Sequence, residues 1–226
     1  MTPDPTAALD PAAREALSMV LELLATERAS VSSVVDERAW QVHVVDSLTG
    51  LEVPELRAAS RIADVGAGAG FPGLALAVAL PGAEIDLIES VGRKCEFMQR
   101  AIDTAGIANA TVRDTRSEDW AASGGGDAYE AVTARAVGRL STLAELASPL
   151  LKPNGVLVAW KGKRDEDEEQ QLARASESLA VRPEQILDVG NRAGSQHRHL
   201  HVIRKSGPTP GDLPRRPGIA KKRPKG

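Results

Sequence analysis

Apolar positions recur at helical spacing over residues 11–29, where Ala16, Met19, Val20, Leu23 and Leu24 share one face, Asp10 is placed to cap and Pro11 stands in the first turn. A second helical pattern runs from about Asp36 to Leu51, turns Trp40, Val44, Val45 and Leu48 inward, and ends near Gly50 and Pro54. From Arg61 the period changes. Short apolar runs at 61–65, 84–89, 109–113, 130–134 and 155–160 alternate with helical segments at 71–80, 91–105 and 138–151. Alternation of this kind calls for parallel strands with helices on both faces. Beyond an acidic, Gln-rich helix at about 165–180, two more runs, Gln185–Val189 and His199–Arg204, are joined by a short Gly/Asn/Ser loop and predict an antiparallel ending to the sheet. Residues 123–126, Ser-Gly-Gly-Gly, read as a surface loop. The pattern predicts an α/β fold: a doubly wound, mostly parallel sheet over 59–205 with an antiparallel C-terminal strand, behind an N-terminal helical cap over 1–58.

Composition changes this picture mainly at one end. Aromatic residues are only 3% of the chain, so the core falls to Ala, Val, Leu and Ile. The longest apolar stretch, Leu74–Leu80, is too short to cross a bilayer, and the start of the chain lacks a basic segment followed by an apolar one, so a cytoplasmic protein is expected. A single cysteine, Cys95, excludes an internal disulfide or a Cys-based metal cluster, and the histidines at 197–201 read as surface or strand positions, so no metal is expected. The net charge of −3 hides an asymmetry: from Arg204 to Gly226 eight Lys/Arg face a single Asp. Residues 206–226 read as a disordered basic tail that attracts RNA or DNA through phosphate contacts alone, leaving the rest of the chain strongly acidic.

The chemistry concentrates at Asp64-Val65-Gly66-Ala67-Gly68-Ala69-Gly70-Phe71-Pro72-Gly73, a glycine-rich turn that follows a strand and opens a helix. Glycines there permit a tight turn and close approach of a ligand to the backbone. Glu89 ends the next strand, where a carboxylate can accept both hydroxyls of a ribose. A dinucleotide site usually carries G-x-G-x-x-G to seat a pyrophosphate. The G-x-G-x-G pattern here, preceded by Asp64, favours S-adenosylmethionine over NAD, because that cofactor has no phosphate and carries a sulfonium.

These residues, with His43-Val44-Val45-Asp46-Ser47, Leu87-Ile88-Glu89-Ser90, Arg93-Lys94, Ala134-Arg135-Ala136, Trp160-Lys161-Gly162 and Arg198-His199-Leu200, resemble the bacterial ribosomal RNA small-subunit methyltransferase G family, also called glucose-inhibited division protein B. The resemblance covers about residues 15–205, and its Phe-Pro-Gly extension at 71–73 is more specific than a glycine turn. It implies a class I S-adenosylmethionine-dependent methyltransferase acting on N7 of one guanine in 16S rRNA, as a monomer, on naked rRNA or a small-subunit precursor. It further implies that Asp64, Gly66, Gly68 and Phe71 belong to the cofactor site and that Glu89 takes the ribose. Ser117 and Glu118 would serve the adenine side, Arg135 would serve both cofactor and catalysis, and His43 and Asp46 would lie over the substrate side.

The plain alternative for Arg135 is an ion pair with Glu89 or Asp64; for His43 with Asp46 it is a helix-packing pair, and for Lys161 a solvated strand end. The chain departs from the family at Ser30-Val31-Ser32 and at Val42, positions where contacts to the base or rRNA backbone are expected. N7 has a free lone pair, so its methylation needs positioning and desolvation rather than a base, with Asp46 or Asp64 available to a moving positive charge and Phe71 or Trp160 to a flipped base. Two rival readings are a small-molecule methyltransferase of the same fold and a non-catalytic RNA-binding assembly protein.

Overall fold

The computed structural model describes residues 4–27, 31–32, 34–190 and 197–226. Helix α1 (Pro11–Thr26) starts where Asp10 accepts the Ala13 N–H at 2.8 Å. Its buried stripe is Leu17, Val20 and Leu24, rotated from the expected face: Ala16, Met19 and Leu23 are only partly buried. Positions 28 and 29 of the expected helix lie outside the described residues.

The expected second helix is not one regular helix. A π turn over Trp40–Val45 runs into the helical turn α2 (Asp46–Leu48), a 3₁₀ turn over Thr49–Glu52 and then α3 (Pro54–Ala58). Side-chain hydroxyls compete for the carbonyls: Ser47 Oγ donates to the His43 carbonyl, and Thr49 Oγ1 to that of Asp46 at 2.6 Å. The wider π turn brings the Asp46 N–H to the Gln41 carbonyl. Val44, Val45 and Leu48 are buried as expected, while Trp40 is partly buried against the core.

Strands β1 (Arg61–Val65), β2 (Glu84–Glu89), β3 (Ala110–Asp114), β4 (Tyr129–Arg135), β5 (Leu151–Lys161), β6 (Val181–Asp188) and β7 (His199–Lys205) form one sheet in the order β3-β2-β1-β4-β5-β7-β6. The first five are parallel, and β7 inserts antiparallel between β5 and β6. Successive residues point to opposite faces. Ile62, Ile85 and Leu87 join α1, α4 (Gly73–Ala79) and α5 (Gly92–Ala105) in one core. Ala63, Val65 and Ile88 join the helices α7 (Leu140–Ala147) and α8 (Glu166–Ala175) in the other. Each fully buried Leu or Ile in these layers contributes about 1.5–3 kcal/mol relative to exposure. The chain runs outward from β1 to β3 and returns at β4, so a crevice opens at the carboxyl ends of β1 and β4, the place where such sheets bind ligands.

Two expectations are corrected outside the sheet. Residues 123–126 are not a plain loop: after α6 (Ser117–Trp120), a π turn spans Ala121–Gly125, and Gly125 is buried where a Cβ would meet the Trp120 indole at 2.4 Å. Residues 206–226 are not a disordered tail. Lys205 is fully buried, donating to Asp127, to the Leu151 carbonyl at 2.6 Å and to Thr209 Oγ1 at 2.6 Å, and this launches the segment back over the body. Leu213 and Ala220 are buried, Arg215 forms a bidentate pair with Glu145 of α7, and the short helix α9 (Ile219–Lys222) follows. Composition misjudged the segment because its cations have acids to meet, Glu145 buried on α7 and Asp127 and Asp212 at the surface. Among the described residues no helix is long and apolar enough to cross a membrane.

Candidate active site

The glycine turn leaves β1 at Val65 and is shaped by backbone that L side chains rarely adopt. Gly66, Gly68 and Gly70 have φ of +68°, +62° and +88°. A Cβ on Gly73 would meet Leu87 Cδ2 at 2.2 Å and Asp64 Oδ2 at 2.9 Å, which accounts for the glycine after Phe71-Pro72. Asp64 is fully buried there, accepting from the Gly73 N–H at 2.9 Å and from Thr133 Oγ1 at 2.9 Å. Burial pushes its carboxyl up to about 6, against the lowering effect of these hydrogen bonds. Asp64 therefore ties the turn to β1 and β4, and it does not line the cavity.

Glu89, at the end of β2, braces the same turn from the other side. Its Oε2 accepts the Gly68 N–H at 3.1 Å, and its Oε1 accepts the N–H groups of Ser90 and Val91 at 2.8 and 3.0 Å. A turn N–H that could face a pyrophosphate is thus taken by a carboxylate whose charge repels phosphate. That geometry disfavours a dinucleotide and leaves carboxylate lone pairs for hydroxyl donors.

Gly66, Glu89, Ser117 and Glu118 line a cavity of about 360 Å³ at the carboxyl ends of β1 to β4. Ser117 and Glu118 open α6, with Ser117 Oγ donating to Glu118 Oε2 at 3.2 Å. Ala136, which follows β4 with φ +60°, and Val137 form a further wall, and a Cβ on Gly66 would approach Val137 Cγ2 to 2.7 Å. Part of the wall comes from Gly218, Ala220 and Lys221 of the C-terminal segment, which the sequence pattern did not connect to the site. Gly68 and Phe71 do not line this cavity.

His43, Asp46, Phe71 and Arg135 instead form a second cluster where the cap meets the sheet. His43 stacks on Phe71 with ring centroids 5.0 Å apart, and both are buried. Arg135 Nη1 donates to Asp46 Oδ2 at 2.8 Å and to the Val42 carbonyl at 2.9 Å, while its Nη2 faces His43 Nδ1 at 3.5 Å. The arginine therefore pairs with Asp46 of the cap, and neither Glu89 nor Asp64 is its hydrogen-bonded partner. His43 Nε2 lies 2.8 Å from the Val34 carbonyl and 3.2 Å from Ser32 Oγ, an arrangement that fits a neutral ring protonated at Nε2. Burial lowers its pKa most, and Arg135 acts the same way, against the raising effects of the Val34 carbonyl and Asp46. Arg198, quoted in the sequence only as part of a motif, completes the cluster with its Nε 2.7 Å from Asp46 Oδ1. The ion pair is close, but neither atom has an aligned hydrogen bond.

Two other candidates are structural. Trp160 is 1% exposed and donates to the Asp46 carbonyl at 2.8 Å, so it is closed to a flipped base and fastens the cap to β5. Phe71, the other stacking candidate, is buried against His43. Lys161 is neither at the cavity nor a free strand end, since it donates to Glu168 at 2.7 Å and to the Gly138 carbonyl at 2.9 Å. Among the described residues, no group of three or more His, Cys, Asp or Glu is placed to hold a metal ion.

Comparison with known proteins places the chain in a family. Residues 16–201 match the family model for rRNA small subunit methyltransferase G. Ribosomal RNA small subunit methyltransferase G of Rubrobacter xylanophilus is 38% identical over 94% of this chain and 85% of its own length. The Bacillus subtilis protein of the same name is 31% identical over 96% of this chain and 92% of its own length. In three dimensions the chain superposes on a SAM dependent methyltransferase from Aquifex aeolicus with a TM-score of 0.55 at 17% identity, covering 75% of this chain and 94% of that one, which supports the class I fold. With the matched segment spanning the cap, the glycine turn and the Arg135 cluster, the chain belongs to the rRNA small subunit methyltransferase G family.

Proposed function

We propose that the protein transfers a methyl group from S-adenosylmethionine to N7 of a guanine in 16S rRNA, presented either naked or in a small-subunit precursor, in the cytoplasm. The observation that carries this reading is that Asp46, Asp64 and His43, the candidates for a base where the cap meets the sheet, are already committed. Asp46 is held by Arg135 and Arg198, Asp64 by Gly73 and Thr133, and His43 by Val34 on one side and Arg135 on the other. None is free to serve as a general base, and N7 is a nucleophile that needs none.

The donor, when bound, supplies a methyl carbon made electrophilic by its sulfonium. Gly66 lets it lie against the turn, Glu89 accepts from its ribose, and Ser117 with Glu118 bounds the adenine side. His43, Asp46, Arg135 and Arg198 position the base, and the paired charges of this cluster hold it rigid as positive charge passes to the guanine. The test is transfer of tritium from labelled donor into 16S rRNA, followed by mapping of the methylated nucleotide. Label confined to one guanine, at N7, is expected. Label on an exocyclic amine or a ribose hydroxyl, or none on rRNA or subunits, overturns the proposal.

A further inference from the structure

The segment expected to serve RNA alone also reaches the cofactor cavity. Glu145 is buried on α7, and both of its oxygens accept from Arg215, at 2.5 Å each; among the described residues no other group donates to it. A buried carboxylate needs such a partner, so α7 is built to receive the segment. Two further contacts continue from this clamp to the cavity. The Gly218 N–H donates to Glu118 Oε1 at 2.9 Å, and Thr142 Oγ1 to the Ala220 carbonyl at 3.3 Å. Gly218, Ala220 and Lys221 then line the cavity together with Ser117 and Glu118.

We propose that residues 215–221 are part of the donor site: a strap, clamped by Arg215 and Glu145, that walls the cavity beside Ser117 and Glu118 and holds Glu118 in place. This rests on the reading of the cavity as the donor site. The strap's backbone forms the wall, while Arg215 and Gly218 act through position rather than by touching the reacting atoms. Glycine is required at 218 because its φ is +81°, yet a Cβ there meets nothing within 4 Å. Gly218→Ala thus disturbs the strap turn without pushing into the body.

The test is calorimetric titration of the full chain with S-adenosylhomocysteine, alongside hydrogen exchange with and without that ligand. Gly218→Ala and Arg215→Ala are expected to weaken binding by about tenfold, with partial rescue by Arg215→Lys, which restores the charge without the bidentate fork. The unliganded Gly218→Ala protein is expected to unfold cooperatively, with no more than the small drop in midpoint that an alanine at positive φ costs, which separates a site effect from a loss of fold. Ligand is expected to slow exchange over 215–221 in the unaltered chain. Wild-type affinity in Gly218→Ala, or ligand-insensitive exchange over 215–221, overturns the proposal; both measurements stand if Arg215→Ala fails to fold. Glu89→Ala separates the two readings. If it loses binding while Gly218→Ala keeps it, only the strap is wrong, whereas if Glu89→Ala keeps binding, the cavity is not the donor site.

Discussion

Asp64 stands where an acid beside the glycine turn suggests service to a cationic ligand, yet its hydrogen bonds point inward to Gly73 and Thr133. Its residue type and position were legible in the sequence; its orientation was not, because that depends on Thr133, far along the chain. The raised pKa makes Asp64 a titrating element of stability. A group whose folded value is raised contributes stability that is complete below about 3.8 and is lost as pH rises through about 6. Asp64→Asn, with its carbonyl toward Gly73 and its amide toward Thr133, should remove this slope. Denaturant titrations at pH 5 and pH 8 should show the unaltered protein losing about 1.4 kcal/mol more than the variant, one pKa unit of the shift lying inside that window, and parallel losses would refute the assignment. Gly66 carries a different lesson. Gly66→Val looks like a clean probe of cofactor approach, but its positive φ and the nearby Val137 mean that the variant strains the fold as well. Glu89→Ala is the better probe, expected to weaken donor binding by about 1.5–3 kcal/mol in calorimetry; normal binding would place the ribose elsewhere. For His43, burial holds the folded pKa below its ordinary 6.5, so the ring is neutral at pH 7 and the stability tied to that state is lost only as pH falls below that value. Single-turnover rates should stay nearly flat from about pH 6.5 to 9, and His43→Gln should retain turnover while removing the acid limb below that range. A rate rising tenfold per pH unit, or a His43→Gln enzyme that binds but does not turn over, would mean that a true base acts.

At the scale of elements, β1 and β2 were legible to the residue because each is a short apolar run bounded by polar or glycine-rich sequence, and the matching register of Asp64 with Leu87 sets turn and acid side by side. The strands that begin earlier than their apolar runs show where pattern fails. Strand β6 starts at Val181 and includes Arg182-Pro183-Glu184, which reads as a turn; it is an edge strand, where proline is tolerated because one side needs no ladder donor. Strand β5 starts at Leu151, ahead of a polar Lys-Pro-Asn stretch, and the register between β4 and β5 shifts there. The cap was legible as helical but not as a succession of π, α and 3₁₀ turns, since hydroxyl-to-carbonyl bonds leave no trace in hydrophobic spacing. Trp160 joins this irregular element to the sheet, and a Cβ on Gly50 would meet its ring at 2.5 Å, so the two residues fit together. Trp160→Phe, which removes the N–H to the Asp46 carbonyl and replaces the buried indole with a smaller ring, should destabilise the protein by about 1–3 kcal/mol, chiefly through the void it leaves, since the carbonyl keeps Thr49 Oγ1 as a donor. If the cap positions the base, the same variant should lower the rate with saturating RNA while leaving donor affinity unchanged. Loss of stability with an unaltered rate would reduce Trp160 to packing alone.

Across the whole molecule, charge is distributed differently from what the linear sequence suggests. The excess of basic residues after position 204 is partly consumed internally, by Asp127 on Lys205, Glu145 on Arg215 and Asp212 on Lys225. Arg216, Lys221, Lys222 and Arg223 remain exposed and have no ion-pair partner among the described residues, and they stand on or next to the segment that walls the cavity proposed for the donor. An otherwise acidic body thus carries four of its unpaired cations beside the cavity, and if rRNA approaches there they would concentrate polyanion attraction at that opening. Replacing Arg216, Lys222 and Arg223 with Ala tests this without altering Lys221 at the cavity wall. Each phosphate contact releases condensed counterion, so the slope of log affinity for 16S rRNA against log salt should flatten by up to about 2–3 in the triple variant, with the largest loss of affinity at low salt. Donor titration of the same variant is the internal control, because a strap that stays docked keeps its donor affinity while the RNA slope falls. An unchanged salt slope with donor binding intact would show that these cations do not meet phosphate, and rRNA recognition would then rest on the cap and on Arg135 and Arg198.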